Sequence, residues 1–151
     1  MTTTDEVLLS AVILVDRRGW ILLQLRDESA ANFPNVWGLP GGHVEPGEDV
    51  ADAAVRELFE ETALAADGPL VHYRVTRSPE RPSRVKHFFY GTTDARQEDV
   101  VLGEGAAMVF TPPTEVLDGR PYTPTTAATL QDFLASPIYA GLVAGATTSE
   151  R

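Results

Sequence analysis

The sequence predicts an α/β chain, a mixed β-sheet covered by helices on both faces. Three observations predict it. Short apolar runs rich in Val, Ile and Leu recur along the chain, and helical periodicity appears once between them and once after them. The order is therefore strands, helix, strands, helix, which packs as layers. A length of 151 residues suits one domain with a core of its own. That domain is expected over 1–140, with 141–151 as a flexible tail.

The elements follow in order. Residues 6–16, EVLLSAVILVD, and 20–26, WILLQLR, read as strands joined by a turn at Gly19. Residues 27–42 carry Pro, Gly and Asn without a period and read as loop. Residues 48–62 have helical period. Residues 69–77 and 84–92 form a strand pair around a proline-bearing loop, and 107–112 is a further strand. PTEVLD suggests a short helical turn. Residues 123–136 begin with Thr123 as N-cap and Pro124 after it, and they place apolar residues on one stripe, the signature of a helix. From Gly141 the residues are small and polar, with no period.

Composition removes several classes of function. With no cysteine, disulfides, thiolate catalysis and cysteine-ligated zinc are excluded. No apolar run is long enough for a membrane span, and MTTTDEV lacks the basic-then-apolar pattern of a signal sequence, so no membrane partner and a cytoplasmic location are expected. A net charge of -10 repels polyanions, so no nucleic-acid polymer is expected as partner. Positive charge is nevertheless concentrated. Arg74, Arg77, Arg81, Arg84 and Lys86 are five of the 12 Lys and Arg. A local basic segment and a carboxylate cluster together point to metal plus anion.

The cluster is Glu57, Glu60 and Glu61. At about 100° per residue they project within an arc of about 100° on a helix. Ala51, Ala54, Val55, Leu58 and Phe59 occupy another arc, expected to bury. Stability does not explain the acidic edge, because each like-charge pair costs about 0.2–0.5 kcal/mol. The C-terminal end of a helix also disfavours anions. A divalent cation reverses the balance: Mg²⁺ takes a few carboxylates and leaves its remaining positions to water and substrate phosphates.

GHVEPGEDVADAAVRELFEETAL resembles the Nudix box through Gly42, Glu48, Arg56, Glu57, Leu58, Glu60, Glu61 and Leu64, with Ala63 where the family has its last glycine. The Gly, Arg and four Glu alone would coincide by chance less than about once in ten million starts. The resemblance implies the Nudix fold, an α/β/α sandwich, and hydrolysis of the pyrophosphate linkage in a nucleoside diphosphate joined to a moiety X, such as a nucleoside triphosphate, ADP-ribose or a nucleotide sugar. It implies Glu57, Glu60, Glu61 and the Gly41 carbonyl as ligands of Mg²⁺ or Mn²⁺. Gly42, Glu48 and Arg56 are then structural, with Arg56 pairing Glu48 or a ligand. Glu104 or a box glutamate such as Glu57 is the candidate base. A non-catalytic Nudix module that binds nucleotide is the alternative, and relatives that pair leave a homodimer open.

If position 63 is a left-handed cap, alanine costs on the order of 1 kcal/mol there. Alternatively, the helix runs on to Gly68. The resemblance implies a small nucleotide as substrate, and Arg26, Trp37, Arg77 and Arg84 are candidates for contacting it. Each also has an ordinary reading, as a surface arginine or, for Trp37, a packing anchor. His43, His72 and His87 show no metal-ligand spacing.

Overall fold

Strand β1 (Val7–Val15) decides the layering. Its side chains alternate, with Ala11, Ile13 and Val15 in one buried cluster and Val12 and Leu14 in another. A strand buried on both faces needs cover on both. In the computed structural model, which describes residues 6–103 and 105–149, helix α1 (Val50–Thr62) covers one face. There Ala54 and Leu58 join Val12, Leu14, Leu22, Phe89 and Phe110. Helix α3 (Thr126–Leu134) covers the other, bringing Leu130 and Phe133 to Ile13, Leu23 and Phe88. The result is the expected α/β/α sandwich.

Among the described residues the sheet has seven strands. Strand β2 (Ile21–Leu25) follows β1, and β6 (Arg81–Thr92) runs parallel to β1 from Val7↔Arg84 to Val15↔Thr92. Strand β5 (Val71–Ser78) pairs antiparallel with β6 at one edge, and β7 (Ala107–Thr111) pairs with β2 at the other. One parallel pair among antiparallel ones makes the sheet mixed.

β1 and β2 pair only at Val15↔Ile21 and then diverge. The fork is filled by β3 (Trp37–Gly38), which pairs with β2, and β4 (Gly41–His43), which pairs with β1. Residues 27–42 are therefore not all loop. Two strands this short carry no alternation that a sequence can display.

Other boundaries also move. The β5–β6 turn is only Pro79 and Glu80, since Ser78 faces Arg81. Pro82 is accommodated in β6 beside a register shift and beyond the reach of β1, where no ladder bond is asked of it. Helix α3 starts at Thr126, because Thr125 is left-handed at φ 67° and Thr123 and Pro124 precede the cap. Helix α1 stops at Thr62, and Ala63 caps it at φ 63°, donating its N–H to the Phe59 carbonyl. The extension to Gly68 does not form.

The segment from Gly141 is not irregular. It continues helix α4 (Pro137–Ser149), anchored where the Tyr139 hydroxyl donates to the Gly19 carbonyl and where Tyr139 and Leu142 pack on the core. Its small residues hide the period. A short α2 (Pro113–Val116) buries Val116.

Candidate active site

Helix α1 does not keep its apolar and acidic arcs apart. Val55 and Phe59 are 50% and 61% exposed, whereas Glu61 is buried at 6%. The buried arc is Ala53, Ala54, Leu58, Glu61 and Thr62, turned from the expected one toward the glutamates. The reason lies in β4. Gly41 and Gly42 lack side chains, so the carboxylates of α1 can settle on their backbone. A Cβ on Gly42 would sit 2.6–2.7 Å from the Glu57 carboxyl group, and one on Gly41 would strike the Ser10 carbonyl. Glu61 Oε1 accepts the Gly41 N–H at 2.9 Å. Ser10 Oγ donates to the Val50 carbonyl at 2.7 Å, fastening the start of α1 to β1.

Arg56 organises the rest. Its Nε and Nη2 clasp Glu48 at 2.9 and 3.0 Å, and Nη2 also reaches the His43 carbonyl at 3.0 Å. Its Nη1 lies between Glu57 at 3.0 Å and Glu60 at 3.1 Å. The Arg56 hydrogen bond, helped by the Glu45 N–H, draws the Glu48 carboxyl down to about 2. Arg56 is pushed up in turn, chiefly by Glu48. Arg56 thus pairs with both Glu48 and two of the acidic edge residues.

The glutamates of α1 and the glycines of β4 open onto a cleft of about 1470 Å³. Gly41, Gly42, Glu57, Glu60 and Glu61 line it together. Arg26, Arg81, Arg84 and Lys86 line the same cleft. Arg26 Nε is held by the Asn32 and Phe33 carbonyls at 3.0 and 3.1 Å. Arg84 is pushed below its ordinary value by burial, then by Arg81 and Arg26. Lys86 Nζ donates to the Pro124 carbonyl at 3.0 Å and to Thr126 Oγ1 at 3.3 Å. Burial, then Arg84 and Arg26, bring Lys86 down to about 8.

The remaining candidates separate. Arg26 and Arg84 reach the cleft, but Trp37 and Arg77 do not line it. Trp37 packs on the core of the α3 face, and the Arg120 guanidinium covers its ring at 4.6 Å. Arg77 pairs outward with Glu6 at 2.7 Å and donates to the Pro82 carbonyl. Glu104 lies outside the described residues. His72 Nε2 and His87 Nδ1 meet at 3.0 Å across β5 and β6, away from the cleft lining.

Arg81 and Lys86, counted only within the basic segment by sequence, are the cleft residues sequence reasoning missed. For Lys86 a signal was present: it sits two residues before Phe88 on the same strand face, a lysine at a core-facing position.

The donor set suits a hard divalent cation. All its members are oxygens, and a positive charge, the Arg56 guanidinium, already rests between Glu57 and Glu60. Among the described residues no three acidic or imidazole side chains converge as a ready-made cluster. Glu61 turns instead to the Gly41 amide.

Residues 8–133 match the family model described as the NUDIX domain. The chain belongs to the Nudix family. The Nudix chain is 30% identical over 129 residues to the CTP pyrophosphohydrolase of Escherichia coli, covering 81% of this chain and 87% of that one. It is 52% identical over 54 residues to the m7GpppN-mRNA hydrolase NUDT17 of Danio rerio, covering 36% of this chain. That match spans only 18% of the relative's length. The NUDIX domain of Shewanella oneidensis NrtR, solved with ADP ribose, superposes with a TM-score of 0.72 at 18% identity, covering 85% of this chain and 86% of that one. At that identity it shows the shared fold. Several relatives carry hydrolase or diphosphatase names. Nudix hydrolases generally use divalent metals. Among the described residues no helix is long and apolar enough to cross a membrane.

Proposed function

We propose that this Nudix chain is a divalent-metal-dependent hydrolase of the pyrophosphate linkage in small nucleotides, with nucleoside triphosphates as the first class to test. The observation that carries the proposal is one cleft lined both by the box glutamates and by four cations. The similarity to a CTP pyrophosphohydrolase over 81% of the chain favours triphosphates over ADP-ribose and nucleotide sugars.

Glu57, Glu60, Glu61 and the Gly41 carbonyl would hold Mg²⁺ or Mn²⁺. The bound ion supplies neutralisation of the phosphate oxygens and a lowered pKa for the attacking water. Gly42 admits the Glu57 carboxylate because no Cβ stands in its way. Arg56 screens Glu57 from Glu60 and ties the turn over residues 43–48 to α1. Arg26 offers its guanidinium donors to the phosphate oxygens of the scissile linkage, and Arg84 offers its own to substrate phosphate further along the cleft. Water adds to one phosphorus as the bridging P–O bond breaks. Its proton passes to a carboxylate, for which Glu104 and Glu57 are the candidates.

The test is product analysis on CTP, dCTP, 8-oxo-dGTP, ADP-ribose and UDP-glucose, with Mg²⁺, with Mn²⁺ and with a chelator. Metal-dependent release of a nucleoside monophosphate supports the reading. Tight nucleotide binding with no turnover on any of them would replace it with a non-catalytic nucleotide-binding module.

A further inference from the structure

The cation end of the cleft carries more charge than one pyrophosphate requires. Arg26, Arg81, Arg84 and Lys86 line it, and among the described residues none of the four forms an ion pair with a carboxylate. Two acids line the same cleft, Asp27 and Glu80, hydrogen-bonded by Ser29 at 2.7 Å and Ser78 at 2.6 Å. Cations gathered without close ion-pair partners repel one another and lose hydration. Arg84 and Lys86 both register this, each held below its ordinary value by burial and by neighbouring arginines.

The cluster is built rather than incidental. Asn32 accepts from Arg26 Nε through its carbonyl and from Arg81 Nη1 through its side chain, at 3.0 and 3.1 Å. Phe33 adds a second carbonyl for Arg26 and a ring 5.4 Å from the Arg81 guanidinium. It does so from a left-handed backbone, φ 52°, which a bulky residue seldom adopts. Backbone strain of this kind persists where the surroundings demand it, and it clusters at binding sites.

The cluster also lies apart from the glutamates. Arg84 and Lys86 stand on β6 beside Val7 and Leu9, while Gly42, which seats Glu57, stands on the opposite edge of β1 beside Ser10. Two strand spacings, about 10 Å, separate them. Lys86 extends further away, to the α3 face at Pro124 and Thr126. That span exceeds one pyrophosphate unit.

We infer that the cleft takes substrates bearing a second anionic group, a phosphomonoester remote from the scissile linkage, bound by Arg81, Arg84 and Lys86. This deepens the hydrolase reading and rests on it for turnover, but not for binding. The phosphate belongs either to the nucleoside sugar or to the moiety X.

Two measurements test it. Inorganic phosphate is titrated in EDTA, following backbone amide shifts in the wild type, Arg84→Gln and Arg81→Gln, the last an exposed residue whose loss leaves the core untouched. The expected result is saturable shifts confined to residues 32–33 and 81–86, with affinity about tenfold weaker in each variant. No saturable shift there in the wild type, or equal affinity in both variants, overturns the inference. The second measurement compares kcat/KM for ADP-ribose 2′-phosphate against ADP-ribose, and for UDP-glucose 6-phosphate against UDP-glucose. An advantage of about tenfold for the phosphorylated member, lost in Arg84→Gln, supports it. The pair showing the advantage names the side. Lower kcat/KM for both phosphorylated members overturns it. Phosphate binding with no turnover of any nucleotide would sink the hydrolase reading and leave the anion site standing.

Discussion

Ala63 and Gly42 show how single residues set the balance between stability and activity. Ala63 holds a left-handed backbone that its Cβ disfavours, yet it is exposed and touches no ligand of the site. Ala63→Gly is expected to stabilise the protein by about 1 kcal/mol. That corresponds to a rise in Tm of about 2–4 °C by thermal unfolding, with kcat unchanged. Gly42→Ala should do the reverse. Its new Cβ meets the mobile end of Glu57 rather than backbone, so the fold persists while the carboxylate is displaced. A loss of about 100-fold in kcat/KM at unchanged circular dichroism is expected, the scale of a misplaced reacting group. The box glycine and the pairing of Arg56 with Glu48 or a ligand were legible through the resemblance to the Nudix box. The structure gives Arg56 both kinds of partner, Glu48 and the acidic edge residues Glu57 and Glu60.

At the scale of elements, periodicity located α1 but set its buried face too far from the glutamates. Hydrophobicity cannot report that Gly41 and Gly42 open a seat for carboxylates, so Val55 and Phe59 were expected inside and lie outside. Urea unfolding checks the observed face directly. Leu58→Ala should cost about 2–5 kcal/mol, and Phe59→Gln should stay within about 0.5 kcal/mol. The short strands β3 and β4 were illegible for a different reason: strands of two and three residues have no period. Strand β6 carries the remaining lesson. Lys86 is lowered from 10.5 to about 8 by burial and by Arg84 and Arg26. A cation disfavoured in the folded state destabilises it fully below pH 8, and the penalty fades as pH rises from 8 toward 10.5. Stability measured across that window should climb in the wild type relative to Lys86→Met. Affinity for anionic substrates should fall over the same rise, as the ammonium is lost.

The whole molecule is a polarised cleft in an acidic protein. Its net charge of -10 keeps polyanions at a distance, while the cations of one cleft end present a local exception. The mixed sheet and the helices on both faces were legible because alternation and element order act over many residues, while the parallel β1–β6 pairing came from the structure. The joining of carboxylates and cations in one cleft was not, since it depends on how β1 and β2 fork. One comparison tests the central claim most directly: Mg²⁺-dependent turnover of the best nucleotide by the wild type and by the Glu60→Gln, Glu61→Gln double variant, with folding checked in both. The account predicts a fall of at least about 1,000-fold in kcat, the scale of losing electrostatic stabilisation at the reacting phosphate. Equal turnover in a folded double variant would place the chemistry elsewhere and contradict it.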